Sequence, residues 1–173
     1  MNKSCALVAR KFLASVSFIL ALNSCAMSPP GPWHAFSFDG WADKWAEQVD
    51  LLEYQYGDQY AVVHKKVIYG HAGIGSQGNV NGPMPVGDFL LVKWRIKQTG
   101  EIINDRVDLR GRLASDMREH RVTFVIDGRQ LYVYLVTPIV KRQTEPPLLK
   151  TTESRYHLTY EIYPNNSYRQ ERY

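Results

Sequence analysis

A serine inside a glycine-rich run is the first candidate for chemistry. Residues 73–78 read Gly-Ile-Gly-Ser-Gln-Gly, which matches a dinucleotide-binding turn and nearly matches the serine turn of a hydrolase. A dinucleotide-binding turn must be followed by a helix, and the residues from Asn79 to Pro83 cannot begin one. The serine turn of a hydrolase needs a glycine two positions before Ser76, but that position holds Ile74. We interpret the run as a flexible loop; a hydrolase that uses Ser76 with His64 or His71 is an alternative.

The histidines and cysteines indicate no metal or thiol chemistry. The spacing between the five histidines matches no common metal motif, and we expect surface or half-buried roles for them. They are His34, His64, His71, His120 and His157. The two cysteines, Cys5 and Cys25, both lie near the N-terminus. The body of the chain therefore lacks a thiol for a disulfide or a nucleophile, and we predict neither a metal nor another cofactor.

The first 24 residues have the pattern of a cleaved export signal. Three bases and no acid precede an apolar run over residues 12–22, which is the order found in signal peptides. The run is shorter than the about 20 residues that a helix needs to cross a bilayer. Residues 22–25, Leu22-Asn23-Ser24-Cys25, resemble the lipobox of bacterial lipoproteins. An ordinary secretory signal, cleaved after another small residue, is the alternative.

The lipobox resemblance implies a location. It implies cleavage before Cys25 and attachment of diacylglycerol and an acyl chain such as palmitate, and more than one chain gives stable anchoring. Residues 25–32 would then form a lipidated, Pro-rich tether. Ala26, rather than aspartate, follows the cysteine. In enterobacterial lipoproteins this implies sorting to the outer membrane, so we expect a lipid-anchored protein on the periplasmic face.

Loss of the signal also changes the charge of the chain. The full sequence has 21 bases, 17 acids and a formal net charge of +4. Lys3, Arg10 and Lys11 leave with the signal, so the mature chain has a net charge near +1. A nearly neutral chain gives no electrostatic argument for binding nucleic acid.

A short acidic segment with aromatic residues is the candidate contact surface. Residues 39–58 contain six acids but one base, Lys44. An acidic patch with exposed aromatic side chains suits a basic protein partner, whereas a solvated face over core aromatics is the simpler interpretation. The candidate partner-binding residues come from this segment and from the Gly-rich loop 70–83. They are Asp39, Trp41, Asp43, Trp45, Glu47, Gly73, Gly75 and Ser76.

Alternating apolar and polar residues predict an all-β domain over residues 33–164. Seven or eight short strands with turns between them favour a mainly antiparallel β-sandwich, with a single twisted sheet and one small helix as the alternative. The predicted strands cover residues 33–41, 49–56, 62–69, 88–97, 102–110, 121–126, 130–137 and 156–163.

The segments between these strands carry further predictions. Residues 43–48 and 114–117 are predicted as single helical turns, and Pro138 is expected to end a strand. Residues 139–154 are predicted as a loop, and residues 165–173 as a frayed polar tail. A basic stripe along the 88–110 hairpin is expected to pair internally with Asp105 and Asp108. The stripe consists of Lys93, Arg95, Lys97, Arg106 and Arg110.

In length, lipobox and strand pattern, the chain is similar to the small immunity lipoproteins that neutralise type VI secretion effectors. A loose likeness also covers Gly82–Trp94 and Leu131–Pro138. The resemblance implies a non-enzymatic protein-binding module, in which loop 70–83 or segment 39–58 blocks a toxin's site. A structural or assembly lipoprotein of the outer membrane is the alternative, and a hydrolase is the second alternative.

Replacing Cys25 by alanine tests the anchor. We expect the Cys25→Ala protein to move from the membrane fraction to the soluble fraction, because the acyl chains supply the stable membrane attachment. Fractionation of a bacterial host followed by immunoblotting measures the distribution. A variant that stayed with the membrane would exclude lipid attachment at Cys25.

Overall fold

In the part of the chain that the structure describes, nine strands form two sheets that pack face to face, so the predicted all-β sandwich is confirmed and the single-sheet alternative is wrong. The computed structural model describes residues 31–58, 63–67, 73–142 and 149–168; the predicted signal, Cys25 and His71 lie outside these ranges. The strands are β1 (Trp33–Asp39), β2 (Val49–Tyr56), β3 (His64–Lys66), β4 (Gln77–Pro83), β5 (Phe89–Ile96), β6 (Ile102–Asp108), β7 (Arg121–Asp127), β8 (Gln130–Val140) and β9 (His157–Tyr163).

The topology places β1 inside the larger sheet. The five-stranded sheet has the order β4-β1-β7-β8-β9, and the four-stranded sheet has the order β3-β2-β5-β6. Neighbouring strands are antiparallel except for β1 and β7, which run parallel. In that parallel pair Ala35 lies opposite Arg121, and Ser37 lies opposite Thr123. The first strand of the domain therefore lies between the edge strand β4 and the buried strand β7.

Aromatic side chains fill the space between the sheets. Phe36 stacks on Tyr56 with 5.1 Å between ring centroids. Phe38 packs edge-to-face on Tyr54 at 4.9 Å and against Phe124 at 4.7 Å. These contacts join β1 and β7 of one sheet to β2 of the other. Offset and edge-to-face aromatic pairs stabilise such a core beyond the apolar area that they bury.

Two polar contacts also cross between the sheets. The indole N–H of Trp94 in β5 donates to the carbonyl oxygen of Gly128, in the turn between β7 and β8, over 2.9 Å. The Nε2 atom of the buried His34 lies 3.1 Å from the hydroxyl oxygen of Tyr56. Burial lowers the pKa of His34, because the charged ring would lose its hydration. His34 is therefore a neutral member of the core near the start of β1.

The region predicted as a Gly-rich loop contains an edge strand. Residues 77–83 form β4 and pair with the whole of β1. Val80 packs against the core, whereas Asn79 and Asn81 are exposed, so this strand does alternate. A Cβ atom on Gly78 would lie 2.6 Å from the Phe38 ring. The loop interpretation was wrong here because glycine and asparagine have low strand propensity, which the pairing with β1 overrides.

The strand β8 does not end at the predicted proline. It continues through Pro138 to Val140, and the register against β9 shifts between Val136 and Val140. Proline removes a backbone donor from the ladder, and such residues are accommodated at irregular positions. The hydroxyl of Thr137 donates to the carbonyl oxygen of Leu158 over 2.9 Å, which links the two strands at this point.

Shorter segments also differ from the predictions. Residues 43–48 form turns rather than a helical turn, and residues 114–117 form no 3₁₀ helix. A 3₁₀ helix instead spans Thr152–Arg155, within the predicted 139–154 loop and beyond it by one residue. The predicted tail folds back as far as Tyr168, whose ring packs on Tyr160 at 5.1 Å. Residues 169–173 lie outside the described ranges.

Replacing Gly78 by alanine tests the close packing of β4 on β1. We expect Gly78→Ala to lower the free energy of unfolding by about 1–3 kcal/mol, because the new methyl group must displace the Phe38 ring. Gly75→Ala is the matched control, since no atom lies within 4 Å of a Cβ built there. Denaturant unfolding measures both values. Equal effects of the two changes would contradict the packing described for Gly78.

Candidate functional site

A polar cleft of about 450 Å³ lies over β1 and β7. Its walls come from the edge strand β4, the turn that follows β1 and the 3₁₀ helix Thr152–Arg155. Phe36 and Phe124 point into the core, so their neighbours Ser37 and Thr123 occupy the opposite face of the sheet, where the cleft lies. The cleft is therefore a consequence of strand alternation on β1 and β7.

Two largely buried residues, Ser37 and Thr123, contribute hydroxyl groups to the lining of the cleft. Ser37 and Thr123 are cross-strand neighbours with 9% and 2% of their surfaces exposed. Neither side-chain hydroxyl is hydrogen-bonded to another described residue. A hydroxyl can both donate and accept, and a buried one gains stability from a polar partner. The floor therefore offers two polar groups to a ligand.

Asp39 holds one wall of the cleft in place. Its Oδ1 atom accepts hydrogen bonds from the backbone N–H groups of Trp41 and Ala42, each over 3.0 Å. Its Oδ2 atom accepts a hydrogen bond from the side-chain amide of Gln77 on β4 over 2.8 Å. The carboxylate thus fixes the turn after β1 and ties that turn to the edge strand.

Asp43 connects this turn to the 3₁₀ helix on the other side. Its Oδ1 atom accepts the backbone N–H of Thr152 over 2.6 Å. Burial raises the pKa of Asp43, and the nearby carboxylates of Asp39 and Glu153 raise it further. The hydrogen bonds from Thr152 oppose this rise because they favour the ionised form. A positive charge placed in the cleft would also favour ionised Asp43.

The cleft contains more negative than positive charge. The guanidinium group of Arg121 donates to Oε1 of Glu153 over 2.6 Å, and both side chains are about one-third exposed. Asp39, Asp43 and Glu153 give three carboxylates against the single guanidinium of Arg121. With all of these groups ionised, the lining residues have a net charge of −2. Electrostatics therefore favours a cationic ligand at this site.

The structure brings part of the predicted contact surface together. Asp39 and Asp43 line the cleft, and Trp41 lies between them in sequence with 59% of its surface exposed. Trp45 is only 1% exposed and packs in the core, so its prediction as a partner contact is wrong. Glu47 is exposed, but it lines a separate groove beside the turn at residues 97–101.

The three candidates from the Gly-rich run lie outside the cleft. Gly73 packs so closely on β2 that a Cβ atom would lie 2.7 Å from the carbonyl oxygen of Leu51, whereas Gly75 faces open space. Ser76 immediately precedes β4, and its carbonyl oxygen accepts the N–H of Gly40 over 2.8 Å. A contact of these three residues with a partner stays a prediction, and it would lie beside the cleft rather than in it.

The structure does not join Ser76 to the described candidate base, His64. His64 begins β3 in the four-stranded sheet, where its Nε2 atom lies 3.2 Å from Oε1 of Glu53. Ser76 precedes β4 in the other sheet. His71, the other candidate base, lies outside the described residues.

The remaining charges of the acidic segment and the basic stripe follow the predicted pairing only in part: Asp108 pairs within the hairpin, whereas Arg95 and Asp105 have partners outside it. Arg95 donates to Asp50 of the neighbouring strand β2 over 2.6 Å. Arg110 pairs with Asp108 two residues before it, and these hydrogen bonds lower the pKa of Asp108 to about 2. Asp105 instead accepts the hydroxyl of Tyr163 over 3.0 Å. Strand order and the packing of the two sheets, which the sequence pattern did not reveal, decide the partners of Arg95 and Asp105.

Several residues of the cleft were not predicted from the sequence. They are Ser37, Gln77, Asn79, Arg121, Thr123, Thr152 and Glu153. The sequence did contain one indication of Ser37 and Thr123. A small polar residue interrupts an apolar run in both Phe36-Ser37-Phe38 and Val122-Thr123-Phe124. A polar residue at the centre of a buried strand requires a polar partner or solvent, and here the cleft supplies access to solvent.

No protein-family model matches the chain, and neither a curated protein nor a solved structure shows significant similarity to it. The described residues contain no group of three or more His, Cys, Asp or Glu side chains placed to hold a metal ion. Within the same ranges, no helix has both the length and the apolar character needed to cross a bilayer.

Replacing Asp43 by asparagine tests the electrostatics of the cleft. A carboxyl whose pKa is raised on folding stabilises the fold below its unfolded pKa, and this contribution is lost as pH rises through the folded value. Asparagine keeps the acceptor for Thr152 but does not ionise. We therefore expect the free energy of unfolding of Asp43→Asn to increase relative to wild type as pH rises from about 3 to about 8.

Denaturant unfolding at several pH values measures this difference, with the wild-type chain as the reference at each pH. A difference that stayed constant, or that fell with rising pH, would contradict the buried environment of Asp43.

Proposed function

We propose that the chain is a lipid-anchored protein-binding module of the bacterial envelope, and that its cleft receives a basic side chain of a partner protein. The observation that carries this proposal is the cleft itself, where three carboxylates and one guanidinium lie with two side-chain hydroxyls that have no hydrogen-bond partner among the described residues. A lysine or arginine side chain has the charge and the donors that such a lining requires.

The residues around the cleft suit a protein ligand. Trp41 is largely exposed on the turn that Asp39 and Asp43 fix. Exposed tryptophan supplies apolar contact area and a face for a cationic group, and it is enriched at energetically important positions of protein interfaces. Because the backbone of this turn is already hydrogen-bonded on both sides, it loses little conformational entropy on binding. The site therefore combines a charged pocket with an ordered aromatic side chain.

The resemblance of the N-terminal segment and strand pattern to immunity lipoproteins supports capture of a secreted effector as the biological role. In that role the cleft and Trp41 would contact a basic surface of the toxin. A structural lipoprotein would instead bind a resident envelope protein through the same cleft. Co-expression with a toxic protein, should one be encoded beside the gene, distinguishes these roles, because an immunity protein restores growth.

Adding a positive charge at the rim of the cleft tests the binding site. Asn79 lines the cleft, is exposed and makes no side-chain hydrogen bond within the described residues, so Asn79→Lys leaves the internal contacts intact. We expect the change to weaken binding of a pentalysine peptide and of the natural partner by roughly tenfold, through repulsion between like charges. Asn81→Lys is the matched control, because Asn81 is exposed on the same strand and face but outside the cleft.

The measurement uses the full-length, membrane-extracted protein, by calorimetric titration of the peptide and by affinity capture from envelope extract with mass spectrometry. Binding to the cleft should also weaken with added salt. Equal loss in the two lysine variants, or no loss in either, would contradict the cleft as the binding site.

A further inference from the structure

Large exposed apolar side chains are concentrated at one end of the five-stranded sheet. The described residues include six such side chains, and four of them lie at the end where β1 begins. These four are Trp33, Ile139, Val140 and Tyr156. The other two, Trp41 and Ile102, lie at the opposite end, where Arg129 of the β7–β8 turn pairs with Glu101.

Strand register places the four side chains at the same end. Ala35, Arg121, Val136 and Thr159 lie side by side across β1, β7, β8 and β9. On β1, β8 and β9, the part of the strand that leads from this row to Trp33, Val140 or Tyr156 points towards the same end of the sheet. The carbonyl oxygen of Trp33 accepts the N–H of Glu119, which precedes β7, and Tyr156 accepts the N–H of Lys141. We call this set of four residues the apolar end.

Polar groups surround the apolar end. Arg142 and Arg155 are exposed and lie within two residues of Val140 and Tyr156 in the sequence. The ammonium group of Lys141 donates to the carbonyl oxygen of Ser154 over 2.7 Å, and the exposed acid Glu119 precedes β7 at the same end. Tryptophan, tyrosine and aliphatic side chains bordered by arginine are the residues that proteins place at the level of lipid headgroups.

The tether ends beside this surface. Gly31 packs against the backbone of Met84, and β1 begins two residues later at Trp33. Five residues lie between the predicted lipid site, Cys25, and Gly31, so six Cα-to-Cα steps join them. At about 3.3–3.6 Å per extended residue, this part of the chain spans at most about 20 Å. A lipid on Cys25 would therefore hold the start of β1 close to the membrane surface.

We propose that the apolar end of the five-stranded sheet lies on the membrane that holds the lipid anchor, with Trp33, Ile139, Val140 and Tyr156 among the lipid headgroups. This inference rests on the proposed lipid anchor at Cys25. It also orients the module. Strand β1 has seven residues, or about 20 Å at about 3.3 Å per residue. Asp39, which forms one wall of the cleft, and Trp41 lie at the other end of this strand and therefore away from the bilayer.

The two exposed tryptophans provide a matched test. Trp33 and Trp41 are both 59% exposed and lie near opposite ends of β1, while the other two tryptophans, Trp45 and Trp94, are buried. The full-length protein is purified from a bacterial membrane and reconstituted in phosphatidylethanolamine–phosphatidylglycerol vesicles with brominated acyl chains. We expect bromine to quench tryptophan fluorescence at least about twofold more in Trp41→Phe, which retains Trp33, than in Trp33→Phe.

A second pair of variants addresses the aliphatic residues. Ile139→Glu combined with Val140→Glu should reduce the quenching of Trp33 by about half or more, because charged side chains are unfavourable among acyl chains. Ile102→Glu is the control, since Ile102 is also exposed but lies at the opposite end. It should leave the quenching unchanged.

The possible outcomes distinguish failure of the proposed membrane contact from failure of the proposed lipid anchor. Mass spectrometry of the purified N-terminus shows whether Cys25 carries lipid; an unlipidated cysteine overturns the anchor and the orientation with it. A lipidated protein with equal quenching of both tryptophans overturns the membrane surface alone. A dimer in detergent, seen by light scattering and lost in Trp33→Phe, would assign the apolar end to a second copy of the chain and overturn the proposal.

Discussion

The packing of aromatic rings between the sheets is the interaction on which the rest of the structure depends. Phe36 and Phe38 of β1 contact Tyr54 and Tyr56 of β2 and Phe124 of β7. Once these rings occupy the inner face of β1 and β7, strand geometry sends the intervening side chains to the outer face. The position of the polar cleft therefore follows from the packing of the core, although none of the lining hydroxyls or charges takes part in the inter-sheet ring contacts.

The cleft shows how this fold accommodates carboxylates that are only partly hydrated. Asp39 receives two backbone N–H groups and one side-chain amide, and Asp43 receives the backbone N–H of Thr152. Such donors offset the loss of hydration, and for Asp43 the offset is incomplete, because its pKa is still raised. The hydroxyls of Ser37 and Thr123 add polar groups without charge. The resulting surface is ordered before any ligand arrives, which reduces the entropic cost of binding.

Strand β1 connects the two surfaces to which we assign functions. Its first residue, Trp33, belongs to the apolar end near the tether, and its last residue, Asp39, forms a wall of the cleft. A strand paired on both sides is a stiff element, so the separation of the two surfaces is set by the sheet rather than by a flexible linker. In the proposed orientation, a protein held close to the membrane still presents its cleft to the periplasm.

The sequence by itself determined the fold class and many of the strands, because side-chain alternation is a local property of the chain. Strand β2 has its predicted boundaries, residues 49–56. Alternation did not reveal β4, whose glycines and asparagines form a strand only through pairing with β1. Nor did it show that Trp45 is buried while Trp41 is exposed. The cleft joins Asp43 to Thr152 across 109 positions. Contacts over such distances depend on strand order and side-chain packing, so only the tertiary structure decided them.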